Sequence, residues 1–107
     1  MRTYDIHTED GELLAFEVDN LLLMRVGAIR VVKSIPGVKI ISARWVREDV
    51  FCRFELSGRE FMVEEPWGDN SRYCIGPMEP VEPTEQIKQA RAAFQSAGIL
   101  GFRRGGG

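Results

Sequence analysis

The stretch Glu64-Glu65-Pro66-Trp67-Gly68-Asp69-Asn70-Ser71-Arg72-Tyr73-Cys74 gathers the residue types most able to do chemistry or recognition. Carboxylates could serve as general acid and base if their pKa values were pushed apart in a pocket. Glu64 and Glu65 are neighbours on an expected strand and point to opposite faces, so they cannot act as a pair. Glu65 falls on the apolar face and needs a cation, for which Arg72 on the returning strand is the candidate. Trp, Tyr and Arg are the types enriched where proteins bind partners. Trp67, Asp69, Asn70, Arg72, Tyr73 and Glu65 are therefore the candidate binding residues. The competing reading is a well-made turn. Gly68 frees the backbone, and Asp69, Asn70 and Ser71 can bond to nearby N–H groups.

Elsewhere the chemistry is sparse. Nucleophilic catalysis needs a Ser or Cys beside a base, and the one histidine, His7, lies far along the chain from both cysteines. Cys52 sits in a strictly alternating run and reads as an inert core thiol. Cys74 is read the same way, with Arg72 able to favour a thiolate only if the sulfur is exposed. There is no Cys-x-x-Cys, no His-x-x-x-His, no phosphate-binding loop and no nucleotide fingerprint. No metal, cofactor or catalytic residue is expected, and the chain leans away from enzymatic function.

The elements that must position these residues are legible in the pattern. Tyr4 to Val18 reads as a hairpin turning at Glu9-Asp10-Gly11. A two-residue loop would place Ile6 opposite Ala15. A three-residue loop pairs Ile6 with Leu14 and Tyr4 with Phe16, and it sets Tyr4, Ile6, Leu14, Phe16 and Val18 on one face. The three-residue loop is preferred. A helix capped by Asp19 or Asn20 follows, with Leu21, Met24, Ala28, Val31, Val32 and Ile35 on its apolar stripe and Pro36-Gly37 ending it. Leu23 and Val26 fall toward its polar side. Residues 38–46 read as a strand. Val50, Cys52, Phe54 and Leu56 alternate, and Ser57-Gly58 closes a hairpin pairing Phe54 with Phe61 and Cys52 with Val63.

Three prolines between Pro77 and Pro83 predict an extended connector. Thr84 should cap a last helix with Ile87, Ala90, Phe94 and Ala97 inward. Ile99, Leu100 and Phe102 are candidates to dock. The order β-β-α-β-β-β-β-α implies an α+β fold: a largely antiparallel sheet with two helices packed on one face. Residues 1–100 form one domain, and 101–107 are expected to be a flexible tail.

The 107 residues, 44% hydrophobic and 28% charged, suit one globular domain. No apolar run exceeds four residues, so no membrane association is expected. The absence of an export signal and the presence of only two cysteines point to a reducing cytoplasm. Residues 21–47 carry six bases and no acid, while 1–20 carry six acids and one base. The basic segment could be a nucleic-acid footprint. Without interleaved aromatic residues, pairing with the acidic segments across the fold is favoured.

The segments Ile35-Pro36-Gly37-Val38-Lys39-Ile40-Ile41 and "EPWGDNSRYCIGP" resemble a family of small bacterial proteins of about this length whose function is uncharacterised. The resemblance runs from the first hairpin to Pro77 and is weakest over the last helix. It implies a cytoplasmic bacterial protein and brings no activity, so no catalytic residue is carried over. The leading expectation is a non-enzymatic protein-interaction or self-associating module, with a homodimer the simplest version. The alternative is a small-molecule-binding protein or minor enzyme. Its pocket would lie between the sheet and the 84–97 helix, with Glu65, Arg72 and Tyr73 as polar groups.

Overall fold

The computed structural model describes residues 1–44, 49–66 and 71–102. Six strands and two helices follow one another as β1 (Tyr4–His7), β2 (Leu13–Asp19), α1 (Met24–Lys33), β3 (Lys39–Ala43), β4 (Val50–Leu56), β5 (Arg59–Glu64), β6 (Arg72–Pro77) and α2 (Gln86–Ser96). The strands form one antiparallel sheet in the order β1-β2-β6-β5-β4-β3. This is the α+β fold that the strand and helix pattern implies. After β2 the chain crosses the sheet through α1 to the far edge, and β3 to β6 then meander back to pair with β2.

The β4–β5 hairpin follows its sequence closely. Ser57 and Gly58 both hold positive φ, 51° and 79°, as a two-residue loop between twisted strands requires. Phe54 stands opposite Phe61 and Cys52 opposite Val63. The two rings stack with centroids 5.6 Å apart. At the start of β4, however, the register shifts between Val50 and Cys52, leaving Phe51 as an extra residue. This bulge lets Phe51 and Cys52, adjacent in sequence, both enter the core, at 1% and 0% exposure.

A second bulge overturns the preferred register of the first hairpin. The three-residue loop is present: Thr8 N–H donates to the Glu12 carbonyl, Gly11 takes φ +82°, and His7 pairs with Leu13. Leu14 is then skipped, and Ile6 pairs with Ala15, Asp5 with Phe16 and Tyr4 with Glu17. The shift lets Leu13, Phe16 and Val18 share the core. It turns Tyr4 to the uncovered face of the sheet beside Glu17 and leaves Ile6 exposed. β3 carries a third such shift, at Ile41. The strand expected over 38–46 is formed over 39–43, and Trp45 and Val46 lie outside the described residues.

Both helices cover one face of the sheet. α2 buries Ile87, Ala90, Phe94 and Ala97 as its spacing predicts, and Phe94 meets Phe16 edge-on at 5.5 Å. It has no side-chain cap, because Thr84 lies one residue before the N-cap Glu85. The Thr84 hydroxyl oxygen is buried without a hydrogen-bond partner among the described residues. At the other end, the Met1 ammonium donates to the carbonyls of Phe94 and Gln95, each at 3.0 Å, and to that of Ala97. A cation there complements the helix dipole.

α1 departs further from its pattern. The chain makes a turn over 21–23, and the regular helix starts at Met24 with no side-chain cap from Asp19 or Asn20. Met24 takes φ +58°, so the helix does not continue from that turn. As a result Leu23 is buried, while Leu21 and Met24 point outward at 85% and 64% exposure.

Candidate functional site

The end of the sheet near residues 65–73 separates the candidate residues into two groups. Consecutive strand residues face opposite ways, so Arg72 and Tyr73 diverge. Tyr73 goes to the helix side, 4% exposed, and meets Phe51 edge-on at 4.9 Å. Glu65 follows β5 on that same side. It accepts from Arg25 Nε of α1 at 3.3 Å, and the Arg25 guanidinium lies over Phe51, 4.8 Å from the ring centroid. Burial raises the Tyr73 hydroxyl above its ordinary pKa, and the Glu65 charge raises it further, with Arg25 opposing. Glu65 and Tyr73 are thus brought together, with Arg25 rather than Arg72 as the cation.

Arg72 occupies the uncovered face. Its guanidinium lies on the Tyr4 ring, 3.4 Å from the centroid, and reaches Glu17 at 3.5 Å and Asp19 at 3.7 Å. The Tyr4 hydroxyl donates to Asp19 at 2.9 Å, closing the network. The expected Arg72–Glu65 pair is therefore absent, because the pleat holds the two on opposite sides. Cys74 is on this face too, not in the core beneath the helices. It is half-buried between Glu17 and Glu64 of the flanking strands. Burial pushes its thiol up to about 11, and the charges of Glu64 and Glu17 push the same way. That is the opposite of an activated thiolate. Cys52 is likewise raised to about 11 by burial. Trp67, Asp69 and Asn70 lie outside the described residues. Among the described residues, no group of His, Cys, Asp or Glu is arranged to hold a metal ion.

Beside these polar clusters runs a surface the sequence pattern did not single out. Asn20 N–H donates to the Ser71 carbonyl at 3.1 Å, which ties the 20–24 turn to the start of β6. That turn puts Leu21, Leu22 and Met24 outward, and Val26 follows at 48% exposure. A non-glycine residue at positive φ costs roughly 1–3 kcal/mol, so Met24 maintains this outward turn against a local strain.

The C-terminal segment 98–102 folds back as a hook against α1 at Gly27 and Arg30. Gly98 N–H donates to the Phe102 carbonyl at 2.8 Å, and Arg30 donates to the Leu100 carbonyl at 2.9 Å. The backbones nearly touch: a Cβ on Gly101 would stand 2.5 Å from the Gly27 carbonyl oxygen. The backbone docks, while the side chains expected to dock stay about half exposed or more. Ile99, Leu100 and Phe102 remain 57%, 49% and 57% exposed, with Phe102 stacked on the Arg30 guanidinium at 4.0 Å. Glycine at 27 and 101 lets the two backbones approach this closely.

Between α1 and α2 lies a groove of about 650 Å³ bounded by Arg30, Pro36, Gln89, Ala93, Ala97 and Phe102. The space between the sheet and α2 is filled instead by Phe16, Ile87, Ala90 and Phe94, all fully buried. No helix among the described residues is long and apolar enough to cross a membrane. Compared with protein-family models, curated proteins and solved structures, the chain matches none.

Proposed function

We propose that the protein is a non-enzymatic interaction module that binds through the flank built by the 20–26 segment and the C-terminal hook. One observation carries this reading. Of the ten large apolar side chains exposed among the described residues, seven (Leu21, Leu22, Met24, Val26, Ile99, Leu100 and Phe102) belong to these two short segments, and the hook meets α1 at Gly27 and Arg30. Scattered exposed apolar residues are ordinary, whereas a concentrated patch of them marks a contact surface. The polar groups nearby support it. Arg25, Arg30 and Arg72 each hold a partner within the chain, so these guanidinium groups are tied into the fold. Arg25 pairing with Glu65 also favours pairing across the fold over a nucleic-acid role for the basic helix. Two unpaired thiols suit a reducing compartment, in keeping with a cytoplasmic protein.

A photo-crosslinking side chain introduced at Leu22, with another at Val81 as a control, tests the reading in living cells. Val81 is equally apolar and 61% exposed, but it lies on the connector. A discrete protein adduct from position 22 and none from 81 is the expected result. Equal or absent crosslinking at both positions would overturn the proposal.

The groove between the helices favours a second reading, a small-molecule site. Its volume falls within the range of ligand pockets, and its walls are largely apolar. Ligand-dependent shifts of Ala93 and Ala97 methyl signals would establish it, and a metabolite mixture leaving them unmoved would count against it.

A further inference from the structure

The small-molecule reading of the groove names no ligand; resting on that reading, we infer that the groove between α1 and α2 takes a monocarboxylic acid with an apolar body, its carboxylate on Arg30 and its body along α2. The groove is a single space of about 650 Å³. Its α2 wall is built of small residues, Ala92, Ala93, Ser96 and Ala97, which do not fill the gap to α1. Pro36 and Phe102 add apolar surface. A hydrocarbon chain or an aromatic ring suits such walls.

The charge in the groove is of one sign. Among the described residues that line it, Arg30 alone is charged, and Ser34, Gln89 and Ser96 are the other polar side chains. Arginines elsewhere are neutralised within the fold: Arg25 by Glu65, Arg53 by Glu60, Arg59 by Glu82, Arg72 by Glu17 and Arg91 by Asp5. Arg30 meets a carbonyl oxygen and an aromatic ring instead, and neither cancels its charge. No carboxylate among the described residues is paired with it. A phosphate monoester or a dicarboxylate would bring a second negative charge for which the described lining holds no counter-ion. A single cation beside apolar walls therefore selects a single carboxylate.

The donors are held ready. Arginine carries several N–H groups in one plane, a fork that matches the two oxygens of a carboxylate. The Leu100 carbonyl accepts from Nη1 at 2.9 Å, and the remaining donors of the fork are left for a ligand. The Phe102 ring holds the guanidinium 4.0 Å from its centroid. These two contacts fix the side chain, so a ligand does not have to order it. The negative poles of the helices are also offset. Arg30 and Lys33 stand in the last turn of α1, and the Met1 ammonium sits on the last carbonyls of α2.

The test is an NMR titration of the full chain, labelled at its alanine methyls, with octanoate and 3-phenylpropanoate below their micelle-forming concentrations and with the neutral primary amide of each. At least one acid should shift the Ala93 and Ala97 signals saturably, and its amide should bind about tenfold or more weakly. Arg30→Gln should weaken the acid by a similar factor and leave the amide unchanged. Ala93→Leu, which fills the groove and keeps every charge, should abolish the shift at Ala97. Arg59→Gln, which removes a cation outside the groove, should change nothing. Circular dichroism of each variant separates loss of binding from loss of fold. Because Arg30 also holds the hook, the ratio of acid to amide on the wild-type chain is the measurement that depends on no variant.

Equal binding of acid and amide would overturn the carboxylate and leave the small-molecule reading in force. Acid binding that survives Ala93→Leu would be adsorption elsewhere and would overturn the site. If neither acid moves the methyl signals, the inference falls. The small-molecule reading then stands if a metabolite mixture moves them, and falls as well if it does not.

Discussion

α1 and α2 lie on the same face of the same sheet and dispose of their apolar residues differently. α2 sends Ile87, Ala90, Phe94 and Ala97 inward and leaves Lys88, Gln89, Gln95 and Ser96 in water. It is an amphipathic helix whose apolar stripe is used up in folding. α1 buries Ala28, Val31 and Val32, yet it holds Met24 and Val26 outward and is entered by a turn that exposes Leu21 and Leu22. The contrast teaches that one helix places its apolar residues in the core, while the other buries some and leaves others exposed.

The largest expected effect lies on the α2 side. Phe94→Ala removes a fully buried ring and should cost about 3–5 kcal/mol in denaturant unfolding. A loss below ~1 kcal/mol would mean that α2 is not the load it appears to be from its burial. On the α1 side, Val32→Ala should cost about 1–3 kcal/mol because its methyls are also fully buried. Leu22→Ser, by contrast, should change the stability of the monomer by less than ~0.5 kcal/mol. If Leu22→Ser proved as costly as Val32→Ala, the buried stripe of α1 and the exposed turn before it would not be distinct.

Met24→Gly should raise stability by up to about 1 kcal/mol, since glycine accepts φ +58° without strain. A loss would show that the methionine side chain packs in the monomer after all.

The last effect is in the dependence on pH. Cys52 and Cys74 are both raised from 9.0 to about 11 in the folded chain. The folded state therefore keeps its thiol protons where the unfolded state begins to lose them. Their contribution is complete below pH 9 and declines as pH rises toward 11. Urea midpoints measured across that window should fall, and Cys52→Ala should flatten the slope; an unchanged slope would count against burial as its cause.

The sequence pattern specifies the order and type of every element, because long alternating and helical stretches such as 50–63 and 86–97 leave little ambiguity. It fails at positions where one extra residue changes which face the chain presents. Leu14, Ile41 and Phe51 are bulged, and period-two reasoning has no means of placing a residue that two strands do not share. Runs of adjacent apolar residues, Leu13-Leu14-Ala15-Phe16 and Val50-Phe51-Cys52, are the one available signal. At the candidate site, Glu65 and Tyr73 share the helix side of the sheet, but their cation comes from α1. Arg25 was legible only as one base in a basic helix, because its partner is 40 positions away. The apolar flank was hidden for a different reason. Helical periodicity assigned Leu21 and Met24 to the core, and only the backbone twist at Met24 turns them out.

The Gly27–Gly101 contact has a consequence in time as well as in space. It joins residues from the first third of the chain to residues from its last tenth, so the flank is discontinuous in the sequence. A ribosome-bound chain exposing only its first ninety residues can present Leu21 and Leu22 but cannot complete the surface. The hook contact on α1 therefore forms only after residues 98–102 have been made, whatever the order in which the rest of the domain folds.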